Sequence, residues 1–238
     1  MVQAQVTGLF RYPVKSMRGE SVPEAQVDQR GIDGDRQWGV AFDDGRVASG
    51  KTWKNYRRFT GLLDWTAQTS AGHVEVRTPE GERFTAGSTQ LDRLLTESGG
   101  APVRMAREAP TGVAHHDVAA LHLLSESTLQ ALAALLPTPQ DAVTERFRPN
   151  LLLGGELTQR PETQWVGHRV QIGEQVILEV TEPTERCVMT TLAQHGIPAS
   201  KAVLKTLARE FDSCLGVYAR VVRTGTIRTG DPLVLLND

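Results

Sequence analysis

Apolar and polar positions alternate through much of the first hundred residues, and a period of two marks half-buried strands. Residues 2–12 are expected to form a strand that ends at Pro13, and residues 36–42 a second, closed by the turn Asp43-Asp44-Gly45. Residues 62–69, 73–78 and 83–85 read as a meander with turns at Ser70-Ala71-Gly72 and Pro79-Glu80-Gly81. The alternation is clearest in His73-Val74-Glu75-Val76-Arg77. Thr89 followed by Asp92 resembles a capping box, which predicts a short helix over about residues 90–98.

The second half mixes the two periods. Ser125 is placed to cap a helix through Leu129, Leu132, Leu135 and Leu136 that stops before Pro137. Leu151-Leu152-Leu153 reads as a buried strand ended by Gly154-Gly155. Residues 169–172 and 175–181 predict a hairpin around Gly173-Glu174. A helix then runs from Ser200 through Val203, Leu204, Leu207 and Ala208, with Cys214 near its end. Residues 218–223 and 233–236 close the chain as strands, separated by turns at Thr224-Gly225 and Thr229-Gly230-Asp231. Strands dominate and about three short helices accompany them. The expected fold is therefore a β-rich α+β, barrel-like architecture, with a division near Gly99-Gly100 into residues 1–98 and 99–238.

Composition narrows the function classes. The 238 residues suffice for one large domain or two small ones. A formal net charge of -2 gives no overall basic field for nucleic acid. No apolar run approaches the roughly 18–20 residues needed to span a bilayer. The first eleven residues lack the basic start and apolar stretch of a signal peptide, so a soluble cytoplasmic protein is expected. Two cysteines, Cys187 and Cys214, cannot build a disulfide framework or a four-cysteine metal site. Redox chemistry would need a cofactor of another kind, with any iron–sulfur donor on a separate chain.

Four short segments concentrate polar chemistry: Tyr12-Pro13-Val14-Lys15-Ser16, Gly31-Ile32-Asp33-Gly34-Asp35-Arg36-Gln37-Trp38, Arg146-Phe147-Arg148-Pro149-Asn150 and Glu185-Arg186-Cys187-Val188-Met189-Thr190-Thr191. Each also has an ordinary structural reading. Lys15 fits a solvated charge or an anion ligand. Arg146 and Arg148 alternate, which turns one of them to solvent. Cys187 fits a small core residue or a thiolate, the soft metal ligand and nucleophile. Arg36 and Arg148 can offer bidentate forks to a phosphate, and Asn150 can both donate and accept. Cys214 reads as core or interface. His115, His116 and His122 lack a spaced partner for a metal site. Lys51, Lys54, Arg57 and Arg58 read as a solvated loop, or as a surface for a phosphate or an acidic electron donor.

Taken together and in order, these segments resemble the MOSC family, named after the C-terminal domain of molybdenum cofactor sulfurase. Tyr-Pro-Val-Lys-Ser and Gly-Asp-Arg-x-Trp resemble the N-terminal β-barrel region that precedes many such domains. Arg-Phe-Arg-Pro-Asn, Arg-Cys-Val-Met-Thr-Thr and Gly225-Thr226-Ile227-Arg228-Thr229-Gly230-Asp231-Pro232-Leu233 resemble the MOSC domain itself. The functional likeness is to the amidoxime-reducing branch. It implies Mo-molybdopterin as cofactor and Cys187 as molybdenum ligand and catalytic residue. Lys15, Ser16, Arg36, Arg148 and Asn150 would hold the pterin and its phosphate, with Tyr218 nearby. It also implies reduction of an N-hydroxylated small molecule, with electrons from a separate ferredoxin, flavoprotein or cytochrome. Departures from the branch lie in the basic segment 48–59 and at Ala119-Ala120, which bear on the substrate. A carrier that moves sulfur as a Cys187 persulfide, or hands over cofactor without turnover, is the alternative.

Overall fold

The computed structural model describes residues 4–107, 115, 118–155, 157, 158 and 160–236. Seven strands close into a barrel: β1 (Ala4–Arg11), β2 (Leu121–Ser125), β3 (Leu151–Gly155), β4 (Arg169–Ile172), β5 (Val176–Glu185), β6 (Cys214–Arg223) and β7 (Pro232–Leu236). Four helices accompany them: α1 (Thr89–Gly99), α2 (Glu126–Leu135), the single-turn α3 (Thr144–Phe147) and α4 (Lys201–Glu210). The strand order is β3-β2-β6-β5-β4-β7-β1, and pairing of β1 with β3 completes the ring. Closure removes the sheet edges that would otherwise offer unpaired backbone groups. All neighbours are antiparallel except β2 and β3. A parallel pair needs a crossover connection, and α2 and α3 lie in it.

The barrel interior is a single apolar core. Val6 and Leu9 of β1 meet Leu123, Leu151, Leu153, Leu178, Val180 and Val217, all buried. A stave from the start of the chain is thus packed among strands more than a hundred residues away. A second core lies under a four-stranded sheet of Val103–Arg107, Trp38–Phe42, Val47–Ser49 and Tyr56–Arg58. Val40, Phe42, Leu62, Trp65 and Val76 fill it against Leu91 and Leu95 of α1. Backbone hydrogen bonds from Lys15 N to Trp38 O (2.8 Å) and from Trp38 N to Pro13 O (3.1 Å) stitch this sheet to the outlet of β1. A third cluster packs Leu129 and Leu132 of α2 against Val203 and Leu207 of α4, with Phe147 and Leu215 between.

The β-rich barrel with short helices agrees with the expectation, while several local readings are corrected. Residues 62–64 form a 3-10 turn after left-handed Gly61, so that strand begins only at Thr66. The strand expected from residue 36 begins at Trp38, because Arg36 is left-handed at φ 51°. Ser88, not Thr89, caps α1 by accepting from Leu91 N, and Asp92 accepts from Met105 N (2.7 Å) on the neighbouring strand. Gly154 and Gly155 continue β3 instead of ending it. β5 runs on past Thr181 to Glu185, bringing Cys187 to its exit. Cys214 opens β6 and does not lie on α4. Gly225, expected in a turn with Thr224, opens a further strand, Gly225–Arg228, paired with Glu24–Asp28. α3 follows no apolar period of its own and was not anticipated. Of the first expected strand, residues 2 and 3 lie outside the described residues.

Gly216 shows how tightly the barrel end is packed. Its φ is +78°, and a Cβ there would stand 2.4 Å from His122 Nε2 and 2.5 Å from Leu123 O. Left-handed strain and overpacking both oppose a side chain. Gly216→Ala is expected to lower unfolding free energy by about 3 kcal/mol, measured by urea denaturation; a change below about 0.5 kcal/mol would contradict this packing.

Candidate functional site

One end of the barrel gathers the chemistry. β1 finishes there and passes into Tyr12–Ser16; β3 begins there after Arg148-Pro149-Asn150; β5 ends there just before Cys187. A cleft at this end is lined by Lys15, Ser16, Arg36, Arg148, Asn150, Cys187 and Tyr218, together with His122, Arg186 and Met189. All seven residues singled out from the sequence thus meet in one place.

Tyr12 organises the cationic wall. Its buried ring carries the Arg148 guanidinium at 4.2 Å and that of Arg36 at 4.9 Å from the centroid, a cation–π arrangement on one ring. Burial holds its phenol above the usual range despite both arginines, and its hydroxyl donates to Pro149 O at 2.9 Å. Asp35, also buried, accepts from Tyr12 N at 2.7 Å and pairs with Arg36 Nη1. Lys15 Nζ donates to His115 O at 2.9 Å and lies 4.5 Å from the Tyr56 ring centroid. Ser16, Arg36 and Arg148 all adopt left-handed backbone, with φ of 65°, 51° and 54°. Non-glycine residues persist there only where the surroundings impose it, and functional sites are the usual places.

Asn150 is 1% exposed and fastens three strands. Its backbone N donates to His122 O (2.8 Å), its O accepts from Phe10 N (2.9 Å), its Oδ1 accepts from His122 N (3.2 Å) and its Nδ2 donates to Phe10 O (3.3 Å). An amide has a second proton and a second lone pair to offer the cleft. His122 sits behind it with Nε2 donating to Leu215 O at 3.1 Å and its ring edge-on to Tyr218 at 5.9 Å. Burial, reinforced by Arg186, pushes its pKa down to about 3, so it is a neutral packing element at pH 7.

Cys187 is a half-buried free thiol at the start of a 3-10 turn, Val188–Thr191. Lys51 Nζ donates to its Sγ at 3.3 Å. The turn is pinned by Arg146, whose side chain is fully buried. Arg146 donates to Asp141 O (2.9 Å), Thr190 O (3.0 Å), Leu192 O (3.3 Å) and Pro198 O (2.9 Å). Arg186 Nη2 donates to Phe147 O at 2.9 Å. The alternation of Arg146 and Arg148 therefore does not send either to open solvent: one is structural, and the other lies on Tyr12. Lys51 is the residue the sequence reading missed. A run of cations was its only signal, and that signal does not say which one touches sulfur. Cys214 does not line this cleft, and burial with Glu185 and Asp212 raises its thiol pKa. Among the described residues no three His, Cys, Asp or Glu side chains converge as a metal site; His116 lies outside them.

With this geometry in view, the comparisons are informative. The MOSC domain pattern matches residues 110–234 and the MOSC N-terminal beta barrel domain pattern residues 3–127. The chain belongs to the MOSC family. Membership ties it to molybdenum-cofactor-associated function. It is 24% identical over 285 aligned residues to human mitochondrial amidoxime-reducing component 1, covering 97% of this chain and 82% of that protein. The mouse protein of the same name is 32% identical over 138 residues, covering 52% of this chain and 38% of its own length. Among solved structures, the YUAD protein from Bacillus subtilis has the same fold, with a TM-score of 0.51 at 14% identity over 98% of this chain and 94% of that one. Among the described residues no helix is long and apolar enough to cross a membrane.

Two outcomes follow. The depressed His122 pKa means that unfolded chains bind a proton between about pH 6.5 and 3 that the native state refuses. Stability is therefore expected to fall with pH across that window by up to about 1.4 kcal/mol per pH unit, and His122→Gln to flatten the slope in denaturation at a series of pH values. Arg146→Met, which strands four carbonyls, is expected to cost about 3–5 kcal/mol, read by thermal unfolding; an unchanged midpoint would rule out the pinning role.

Proposed function

We propose that the cleft holds Mo-molybdopterin with the Cys187 thiolate on the metal, and that the protein is an oxidoreductase acting on N-hydroxylated small molecules. The carrying observation is the convergence of Lys15, Ser16, Arg36, Arg148, Asn150, Cys187 and Tyr218 on one cleft. The donor set fits the group. Cations on two sides suit an anionic, phosphorylated ligand, and a single accessible thiolate suits a soft metal that arrives already chelated. When bound, the group supplies two-electron redox and abstraction of oxygen from substrate.

The chain's own part is binding and orientation. In this reading Arg36 and Arg148, both held against the Tyr12 ring, present N–H groups to the phosphate. Lys15 and the Ser16 hydroxyl add donors from the β1 outlet. Asn150 meets the heterocycle edge with the amide valences its strand contacts leave over. Cys187 is steadied by Arg146 through the backbone of its turn, and Lys51 holds a proton donor at the sulfur. Electrons come from a separate protein, and the relatives' names motivate the substrate class. A cytoplasmic location belongs to the same proposal, in keeping with two free thiols.

The test is elemental and pterin analysis after expression in a cofactor-competent host. Wild-type protein is expected to carry stoichiometric molybdenum and pterin. Cys187→Ala should lose molybdenum by about tenfold or more, and Arg148→Ala should lose pterin to a similar degree. Reduction of benzamidoxime with reduced methyl viologen should need Cys187. Molybdenum retained in Cys187→Ala overturns the assignment. A persulfide on Cys187, found by mass spectrometry in protein without molybdenum, decides for the sulfur carrier.

A further inference from the structure

We propose that the exposed face of the 51–58 loop, centred on Trp53, is the docking surface for an acidic one-electron donor protein. This rests on the reading of the Cys187 cleft as the molybdenum site. Lys51 links the two places: its Nζ lies 3.3 Å from Cys187 Sγ and 4.9 Å from the Trp53 ring centroid. The ring centre is therefore no more than about 8 Å from the thiol, the sum of those distances. Trp53 is 48% exposed and is the one aromatic among the large apolar side chains exposed in the described residues. Val188, next to Cys187, is 44% exposed. The loop is seated on the cysteine turn rather than hanging free. Ser49 Oγ donates to Met189 Sδ at 3.9 Å, and a Cβ on Gly50 would strike Leu192 Cδ1 at 2.6 Å.

The charge of this surface is one-sided. From Gly45 to Leu63 the chain has Arg46, Lys51, Lys54, Arg57 and Arg58 and no acidic residue, within a protein of net charge -2. Asp44 compensates Arg46 and Arg57. No carboxylate of the described residues pairs with Lys51, Lys54 or Arg58, and Lys54 Nζ covers Trp53 at 4.2 Å from the ring centroid. An aromatic centre with a cationic rim is the composition of a small transient interface. Its charges steer an acidic partner and set the encounter rate. Each docking passes one electron from the donor's centre, which is oxidised by one. Two dockings and two protons from solvent balance removal of the N–OH oxygen as water, leaving N–H on the substrate.

The experiment uses the cofactor-loaded protein and a reduced plant-type [2Fe–2S] ferredoxin, an acidic protein, as probe, with stopped-flow rates at low and high salt. The wild-type rate should fall steeply with salt. Lys54→Glu with Arg58→Glu should slow it about 10–100-fold at low salt and flatten the salt dependence. Trp53→Ala should slow it with the salt dependence intact. Reduction by methyl viologen should be unchanged in both variants. Ferredoxin rates equal to wild type in the variants, or a wild-type rate indifferent to salt, overturn the docking surface. Protein without molybdenum, or inert to viologen, counts against the cleft reading instead. Calorimetric binding of ferredoxin to that protein still decides the surface, since docking must weaken on charge reversal whether or not metal is present.

Discussion

Closure of the barrel between β1 and β3 is the constraint on which the remainder depends. The two strands lie some 140 residues apart in the sequence, and Asn150 locks them by bonding both Phe10 and His122 with backbone and amide together. Without that junction the outlet of β1 would not face the entrance of β3. Lys15 and Ser16 would be separated from Arg148, and Tyr12 would have no guanidinium on its ring. The site is in this sense a by-product of ring closure. Its residues are placed by main-chain pairing and need few direct contacts with one another.

Gathering cations in one cleft is unfavourable by itself, and the local structure shows how the repulsion is managed. Buried Asp35 neutralises Arg36, the Tyr12 face accepts Arg36 and Arg148 from its electron-rich side, and Lys15 discharges onto a carbonyl and a second ring. A cleft lined by several cations is suited to an anion, whose binding would stabilise the fold through mass action. Ser16, Arg36 and Arg148, the left-handed non-glycine residues among the four polar segments, all line the cleft.

Much of this was legible in the residues. Period-two segments announced the strands, Ser125 and Ser200 marked helix starts, and the four polar segments held six of the seven expected residues that share the cleft, the seventh, Tyr218, coming from the family resemblance. The errors have physical causes. Arg36 was read into a strand because a left-handed residue leaves no mark in a hydrophobic pattern. The strand Gly225–Arg228 went unmarked between two turns because its strand character depends on a partner about two hundred residues away. Arg146 looked half-solvated because three of the four carbonyls it meets, those of Thr190, Leu192 and Pro198, lie more than forty residues away in sequence. Lys51 was indistinguishable from Lys54 in composition; only the packing of Gly50 against Leu192 decides which lysine reaches sulfur.

Arg146 holds the cysteine turn entirely through carbonyl oxygens, a form of recognition blind to side-chain identity. The turn's scaffold is thus uncoupled from its wording. Val188, whose side chain is exposed, can be exchanged while the cysteine stays where it is, whereas Met189 packs against Ser49 and Gly50. Relatives that share this frame are free to diverge in what they admit to the sulfur, and the fold becomes a chassis on which selectivity drifts at little structural risk.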